Sequence, residues 1–316
     1  MYYVGIDLGG TNIAAGIVEK SGNIIAKASV KTNAKREADE IIKDMAQLVL
    51  NLLKDNNLTI DDIECAGIAT PGTANHDTGV VVYANNLPFL NYPLAAKLSE
   101  FTGIKKVLIE NDANAAAKGE SMCGASKGCN NSIMITLGTG VGGGIVIDKK
   151  VYSGFNYAGA ELGHVVIEVD GKPCSCGRKG CWEAYSSATG LINMTKEAMQ
   201  KDKNSVMWEL CDGDIEKANG RTSFDAMRKG DASGKAVVDL YIHYLAEGIV
   251  NMINIFQPEV LVIGGGICNE KNYLTDPLNK IIKKFAYSSN GDKNTVIKIA
   301  QLGNDAGIVG AAMLGF

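Results

Sequence analysis

Two apolar runs in this 316-residue chain end in glycine-rich turns and come straight back as strands, and this repetition restricts the fold more than any other feature. The first run, 2–6, leads into Asp7-Leu8-Gly9-Gly10-Thr11-Asn12 and returns over 13–19. Ser21-Gly22-Asn23 then turns the chain into 24–30. The second run, 132–137, leads into Gly138-Thr139-Gly140-Val141-Gly142-Gly143-Gly144 and returns over 145–147. Strands, helix, strand, helix follow the first hairpin, and a comparable order follows the second. The layout predicts an α/β protein of two related units, each opening with a glycine-turned hairpin. The predicted boundary lies near Lys118, inside an alanine-rich helix over 112–122.

Periodicity places the remaining elements. Ile41, Met45, Leu48 and Leu52 share one face of a predicted helix over 37–54, with Ile42, Val49 and Leu53 beside them. A strand over 63–69 ends at Thr70-Pro71-Gly72, a short helix begins at Pro93, and 106–109 is a strand. Residues 183–200 read as helical apart from Gly190. A long helix over 231–256 is expected to turn Val237, Leu240, Tyr244, Leu245, Ile249, Met252 and Ile253 inward. A strand over 260–263 runs into Gly264-Gly265-Gly266, a strand follows at 296–300, and a last helix starts near 305.

The turns carry chemistry. A strand ending in Asp7 and followed by Gly9, Gly10, Thr11 and Asn12 presents backbone N–H groups to anionic oxygens, and Asp7 suits Mg²⁺ beside a phosphate. The plainer alternative is an ordinary hairpin turn. The loop at Gly138, Thr139 and Gly140 lacks the Gly-Lys-Ser/Thr of a Walker loop and opens no helix, so two common nucleotide fingerprints are excluded. It holds more glycines than a hairpin needs, as close approach to a phosphate would require. Gly264, Gly265 and Gly266 follow a strand end, a common ligand crevice in open α/β sheets. Asp112 stands where a strand passes into a helix, so it either caps that helix or serves as a general base, with Asn111 beside it suited to hydroxyl recognition.

His164, Cys174, Cys176 and Cys181 fall within eighteen residues, a complete Cys3His shell for tetrahedral zinc. Four protein ligands leave no open position, so the expected zinc is structural. Gly171, Gly177 and Gly180 allow the loop to fold back around the metal, and Glu161 and Glu183 bracket it. The other five of the eight cysteines are scattered, and Cys65 reads as a core residue. Hydrophobic content is 46% and the net charge is −4, with no dense basic run, which argues against a nucleic-acid partner. No apolar stretch reads as a membrane span and no signal peptide is recognised, so no membrane partner and a cytoplasmic location are expected.

Taken together, Asp7-Leu8-Gly9-Gly10-Thr11, Glu110-Asn111-Asp112, the Gly138–144 loop, Gly159-Ala160-Glu161-Leu162-Gly163-His164 and Cys174-x-Cys176-x4-Cys181-x-Glu183 resemble the ROK family (repressor, open reading frame, kinase) over essentially the whole chain. Within it the sequence is most similar to the zinc-containing bacterial glucokinases, through Cys181-Trp182-Glu183-Ala184-Tyr185 and Asn85-Asn86-Leu87-Pro88. The resemblance implies a two-lobed, actin-like (ribonuclease H-like) ATPase duplication. Its lobes would be 1–117, with a C-terminal helix about 303–316 packing back on it, and 118–302. It implies ATP with Mg²⁺, a structural Zn²⁺, a neutral hexose and a homodimer or higher homo-oligomer. By resemblance Asp112 is the catalytic base. Gly72, Asn86, Asn111, Glu161, His164 and Glu183 hold the sugar, and Asp7 with the two hairpins holds Mg²⁺ and phosphates. Gly264–Gly266 lies near the adenosine, and His164 is shared between zinc and sugar. The resemblance leaves open kinases for fructose, mannose, allose, N-acetylglucosamine or N-acetylmannosamine, polyphosphate as donor, and a catalytically silent sugar sensor. It disfavours the repressor branch, whose DNA-binding segment would precede Tyr2.

Overall fold

The opening apolar run extends past its last hydrophobic neighbour in the computed structural model, which describes residues 1–316: β1 (Tyr2–Leu8) carries Asp7 inside the strand. β1, β2 (Asn12–Val18) and β3 (Ile24–Lys31) form an antiparallel meander, with Ile6 opposite Ala15 and Asp7 opposite Ala14. Strand alternation then sorts β1 by face. Val4, Ile6 and Leu8 join the core with α1 (Ala38–Asp55), whereas Tyr3 lies in a separate cluster on the other face, the face that also carries Asp7.

Helix α1 has no side-chain N-cap, a deficit of about 1 kcal/mol. Ile41, Ile42, Met45, Leu48, Val49, Leu52 and Leu53 are all buried, at roughly 1.5–3 kcal/mol each, so packing and not capping sets this helix. β4 (Ile63–Thr70) pairs parallel with β1. A small antiparallel sheet of β5 (Thr73–Asn75), β6 (Val80–Tyr83) and β7 (Leu90–Tyr92) follows, then α2 (Leu94–Thr102). β8 (Val107–Asn111) adds to β4 in parallel and passes into α3 (Asp112–Cys123), giving the sheet order β3-β2-β1-β4-β8.

The second sheet has the order β11-β10-β9-β12-β13. Its hairpin is β9 (Ser132–Leu137) and β10 (Val141–Ile147), followed by β11 (Lys150–Val151). The expected single helix over 183–200 is two: α4 (Glu183–Ser186) and α5 (Ala188–Lys201). The break falls at Ser187, not at Gly190. Ser187 is extended and its hydroxyl accepts from Gly190 N–H, which starts a new helix and leaves Gly190 buried inside it. Two short helices that periodicity did not give follow, α6 (Val206–Leu210) and α7 (Thr222–Arg228). Helix α8 (Ala232–Phe256) is long and apolar enough to cross a membrane by length and composition, which corrects the sequence reading. Most of that stretch, 61%, is buried, as in the core helix of a globular unit. Its inward face also differs: Leu240 is 45% exposed, while Tyr241 and Ile242 are buried. β12 (Val260–Gly264), α9 (Asn272–Phe285) and β13 (Val296–Ile299) complete this part.

The last helix, α10 (Ala306–Ala312), lies against β1, β4 and α3. Its approach to the sheet needs glycine at Gly5 and Gly67, where a Cβ would overlap the carbonyls of Ile308 and Ala311. Two compact units result. The first comprises Met1–Met134, Gly144–Ala160 and Ala300–Phe316, and the second Ile135–Gly143 and Glu161–Ile299. Helix α3 runs unbroken through Lys118 and belongs wholly to the first unit.

Candidate active site and metal centre

In the first unit, the turn after β1 is held by Gly9 N–H on the Asn12 carbonyl at 3.0 Å and by the Thr32 hydroxyl on the Gly9 carbonyl at 2.6 Å. Gly10, Thr11 and Asn12 are exposed, so the turn offers its backbone outward. Asn86 is brought beside it, its Cβ 3.5 Å from where a Cβ on Gly10 would stand. Asp7 is half-buried on the α10 face, and a Cβ on Gly307 would lie 2.6 Å from its Oδ2. Burial, and then the charge of Asp112, push the Asp7 carboxyl up to about 6. A cation at this carboxylate would relieve both costs, so the oxygen donor and its surroundings suit Mg²⁺.

At the β8–α3 junction the helix cap is Asn111, not Asp112. The Asn111 side-chain oxygen accepts from Ala113 N–H at 2.9 Å and Asn114 N–H at 3.2 Å. Its amide group donates to the Gly72 carbonyl at 3.1 Å and also to the Asp112 carboxylate. Gly72 has φ +88° and no room for a Cβ beneath Tyr83, so the contact with Asn111 depends on glycine. Relieved of capping, Asp112 reaches solvent and accepts from Ala113 N–H at 2.8 Å. Partial burial holds its carboxyl above the ordinary range. The N–H groups of Ala113 and Asp112 and the Asn111 side chain pull the other way. An accessible carboxylate of raised basicity is what a general base requires.

In the second unit, the tip of the β9–β10 hairpin exposes Gly138 and Thr139 and is tied to the start of α5. Ala188 N–H donates to the Gly138 carbonyl at 2.8 Å, and the Thr189 hydroxyl to the Thr139 carbonyl at 2.8 Å. Gly265, with φ +98°, abuts the Leu137 carbonyl, so Gly264, Gly265 and Gly266 lie next to the same strand end. Gly140 leaves room for Glu183, whose Oε2 accepts from Val141 N–H at 3.0 Å. Glu183 Oε1 accepts from the Ser175 hydroxyl at 3.2 Å. Glu161 is exposed at the head of the 3-10 turn Leu162–His164.

The loop between His164 and Glu183 folds back on itself through bridges Val166–Cys181 and Pro173–Lys179. His164 Nδ1 stands 3.6 Å from Cys174 Sγ, and Cys176 Sγ stands 3.7 Å from Cys181 Sγ. All four donor atoms lie within 4.8 Å of one another. A tetrahedral zinc with ordinary bond lengths would separate two sulfurs by about 3.8 Å and sulfur from nitrogen by about 3.6 Å. The donor set and its spacing therefore fit zinc. Using Nδ1 toward the metal leaves His164 Nε2 on the opposite ring edge. Trp182, fully buried, anchors the loop: its indole N–H donates to the Tyr244 carbonyl at 3.0 Å, and its ring lies over Gly248 of α8, where a Cβ would overlap it.

Sequence reasoning missed several supporting residues. Gly307 beside Asp7 and Gly248 under Trp182 come from distant positions that no local motif marks, and Ser175 on Glu183 stands inside the cysteine motif without a role assigned to it. A small-residue pattern in the last helix was the one available signal for Gly307.

The ROK family model matches residues 3–315. A glucokinase of Thermotoga maritima is 36% identical over 312 residues, 98% of this chain and 96% of its own length. A glucokinase of Halalkalibacterium halodurans is 36% identical over 317 residues, covering 99% of this chain and 94% of the relative. Among solved structures, a ROK family glucokinase from Streptomyces griseus in complex with glucose and AMPPNP superposes with a TM-score of 0.82 at 32% identity over 99% of each chain. The α/β architecture is thus the sugar-kinase fold of the actin-like ATPase type, and this chain belongs to the ROK family.

Proposed function

We propose that this protein transfers the γ-phosphoryl group of MgATP to O6 of glucose, with Asp112 as the general base. The observation that carries the reading is the β8–α3 junction, where Asn111 takes over the capping and leaves Asp112 accessible and more basic than an ordinary aspartate. In the step, Asp112 takes the proton of the 6-hydroxyl as O6 forms its bond to the γ-phosphorus. The bond from that phosphorus to the β,γ-bridging oxygen breaks, and ADP leaves with the electron pair. Such transfer depends on placement and charge neutralisation more than on covalent chemistry.

The remaining roles follow the chemistry of each group. Gly72, Asn86, Asn111, Glu161, His164 and Glu183 receive the sugar hydroxyls. Carboxylate acceptors favour a neutral polyhydroxy ligand over one already carrying phosphate. Asp7 and the turn Gly9–Asn12 hold Mg²⁺ and phosphate, as do Gly138, Thr139 and Gly140, while Gly264–Gly266 takes the adenosine side. His164, Cys174, Cys176 and Cys181 hold one structural zinc, which fixes the loop carrying His164 and Glu183. Glucokinase relatives over nearly the full chain support glucose as the first choice.

The test is Asp112→Asn, assayed by coupled ADP release over a panel of glucose, mannose, fructose, N-acetylglucosamine and N-acetylmannosamine. Loss of the base lowers turnover by ~10²–10⁴-fold with the protein still folded and still binding sugar. A variant as fast as wild type would rule out Asp112 as base. A wild-type preference for another hexose would replace the sugar and keep the kinase.

A further inference from the structure

Glu110 takes no part in the reaction above, yet it is a buried carboxylate with four polar neighbours from three segments of the first unit. Oε1 accepts from Asn111 backbone N–H at 2.9 Å and from the Asn114 side-chain amide at 3.1 Å. Oε2 accepts from the Ser153 hydroxyl at 3.2 Å and faces His76 Nδ1 at 3.3 Å. The carboxylate is 5% exposed, while the His76 side chain is 40% exposed. His76 continues outward: its Nε2 faces Asp77 at 3.6 Å, and its ring meets Tyr157 edge-on at 4.9 Å. Tyr157 in turn donates to Asp77 at 2.6 Å.

A carboxylate so placed costs several kcal/mol unless its oxygens are satisfied, and here both are. The arrangement also overrides a neighbour. Asn114 turns its amide nitrogen to Glu110 and leaves its own buried oxygen without a partner. Charge-assisted hydrogen bonds are roughly twice as strong as neutral ones, so Glu110 sets the orientation and Asn114 follows. What Glu110 grips is informative. The Asn111 N–H is one residue from the proposed base, and Ser153 and Tyr157 belong to the segment that runs into Glu161. Tyr157 and Ala160 of that segment hold φ of +64° and +65°, conformations that persist only where the surroundings enforce them.

We infer that Glu110, braced by His76, is a positioning residue: it fixes the register of Asn111 and Asp112 and ties to them the segment leading to Glu161. This rests on the reading of Asp112 as the base. The substitution Glu110→Ala leaves Asn111 N–H, Asn114 and Ser153 without their shared acceptor. Glu110→Gln keeps an oxygen for Asn111 and Asn114, and its amide can donate to Ser153 and to His76 Nδ1. Ser153→Ala removes a single donor and serves as the milder probe.

The experiment measures kcat, sugar KM and ATP KM of the full-length protein at a temperature where each variant is fully folded, with Asp112→Asn alongside. Displacement by about an ångström lowers kcat by ~10–100-fold for Glu110→Ala and raises sugar KM, with ATP KM held within about twofold. Glu110→Gln recovers most of the kcat. Should Glu110→Ala not fold, Ser153→Ala carries the same sign: a sugar KM several-fold higher at unchanged ATP KM. Folded Glu110→Ala or Ser153→Ala with wild-type kcat and sugar KM, while Asp112→Asn is inactive, overturns the positioning role alone. Wild-type activity in Asp112→Asn overturns the base and, with it, this inference.

Discussion

Replacing Asp7 by Asn should make the ligand-free protein more stable and the enzyme nearly inactive. The Asp7 carboxyl rises from 3.8 to about 6, first through burial and then through Asp112. A raised carboxyl contributes stability that is fully present below 3.8 and lost as pH climbs through about 6. Roughly two pKa units correspond to about 3 kcal/mol at neutral pH, and solvent at the exposed side of Asp7 screens part of it, leaving about 1–3 kcal/mol. Asn has the same shape and no charge to desolvate. Its thermal midpoint at pH 7.5 should therefore be higher by about 2–6 °C, and the gain at pH 5 should be about half as large. MgATP reverses the order. A ligand at 100 times its dissociation constant stabilises the wild type by about 2.7 kcal/mol, and the variant, lacking the carboxylate, gains little. The assay is calorimetry at both pH values, with and without MgATP, beside turnover. An equal gain at pH 5 and 7.5, or no gain, would refute the electrostatic account of this site.

Two further outcomes concern the metal centre. Gly248→Ala would ordinarily strengthen a helix by roughly 0.5–1 kcal/mol, but here the methyl meets the Trp182 indole, so the variant should lose about 1–3 kcal/mol and retain zinc poorly, read by melting and elemental analysis. Cys176 is exposed, so Cys176→Ala removes little packing; loss of zinc in that variant should raise the sugar KM several-fold at nearly unchanged ATP KM, and full metal content by elemental analysis would count against the site.

The parts of the fold legible in the sequence were those with one dominant face or one dense motif. All seven apolar positions assigned to α1 are buried, because this helix packs on one side. Helix α8 resisted the same reasoning. It packs against α4, α5, α7 and α9, so its buried surface is not a single stripe, and Leu240 faces out while Tyr241 and Ile242 face in. The sheet β5-β6-β7 went unread because strands of three or four residues carry too little alternation. At Asp112 spacing alone left a helix cap and a general base as alternatives. The structure gives the capping to Asn111, a choice between adjacent residues that depends on the backbone angles entering the helix. The four proposed zinc ligands were legible because they are local; Glu110, quoted only as part of a motif, acquires its partners from His76 and Ser153, which no sequence period connects to it.

Glu183 shows why a structural metal would matter to a reaction it never touches. One oxygen holds Val141 N–H beside the tip of the glycine hairpin, and the other holds Ser175 within the cysteine loop. Cys174 Sγ lies 3.7 Å from that second oxygen. Without a metal the thiols work against one another: burial first, then Cys176 and Cys174, push Cys181 up to about 12. A divalent cation held by His164, Cys174, Cys176 and Cys181 would replace that repulsion with metal–ligand attraction and would fix Ser175 between two ligands. The carboxylate of Glu183 would then be held at a defined distance from Val141, and the hairpin tip, already tied to Ala188 and Thr189, would gain a third restraint. The proposed metal would thus be coupled to the geometry of the proposed phosphate loop through one side chain. Disturbing Glu183 should loosen the sugar contact and the hairpin together, read as a rise in both sugar KM and ATP KM.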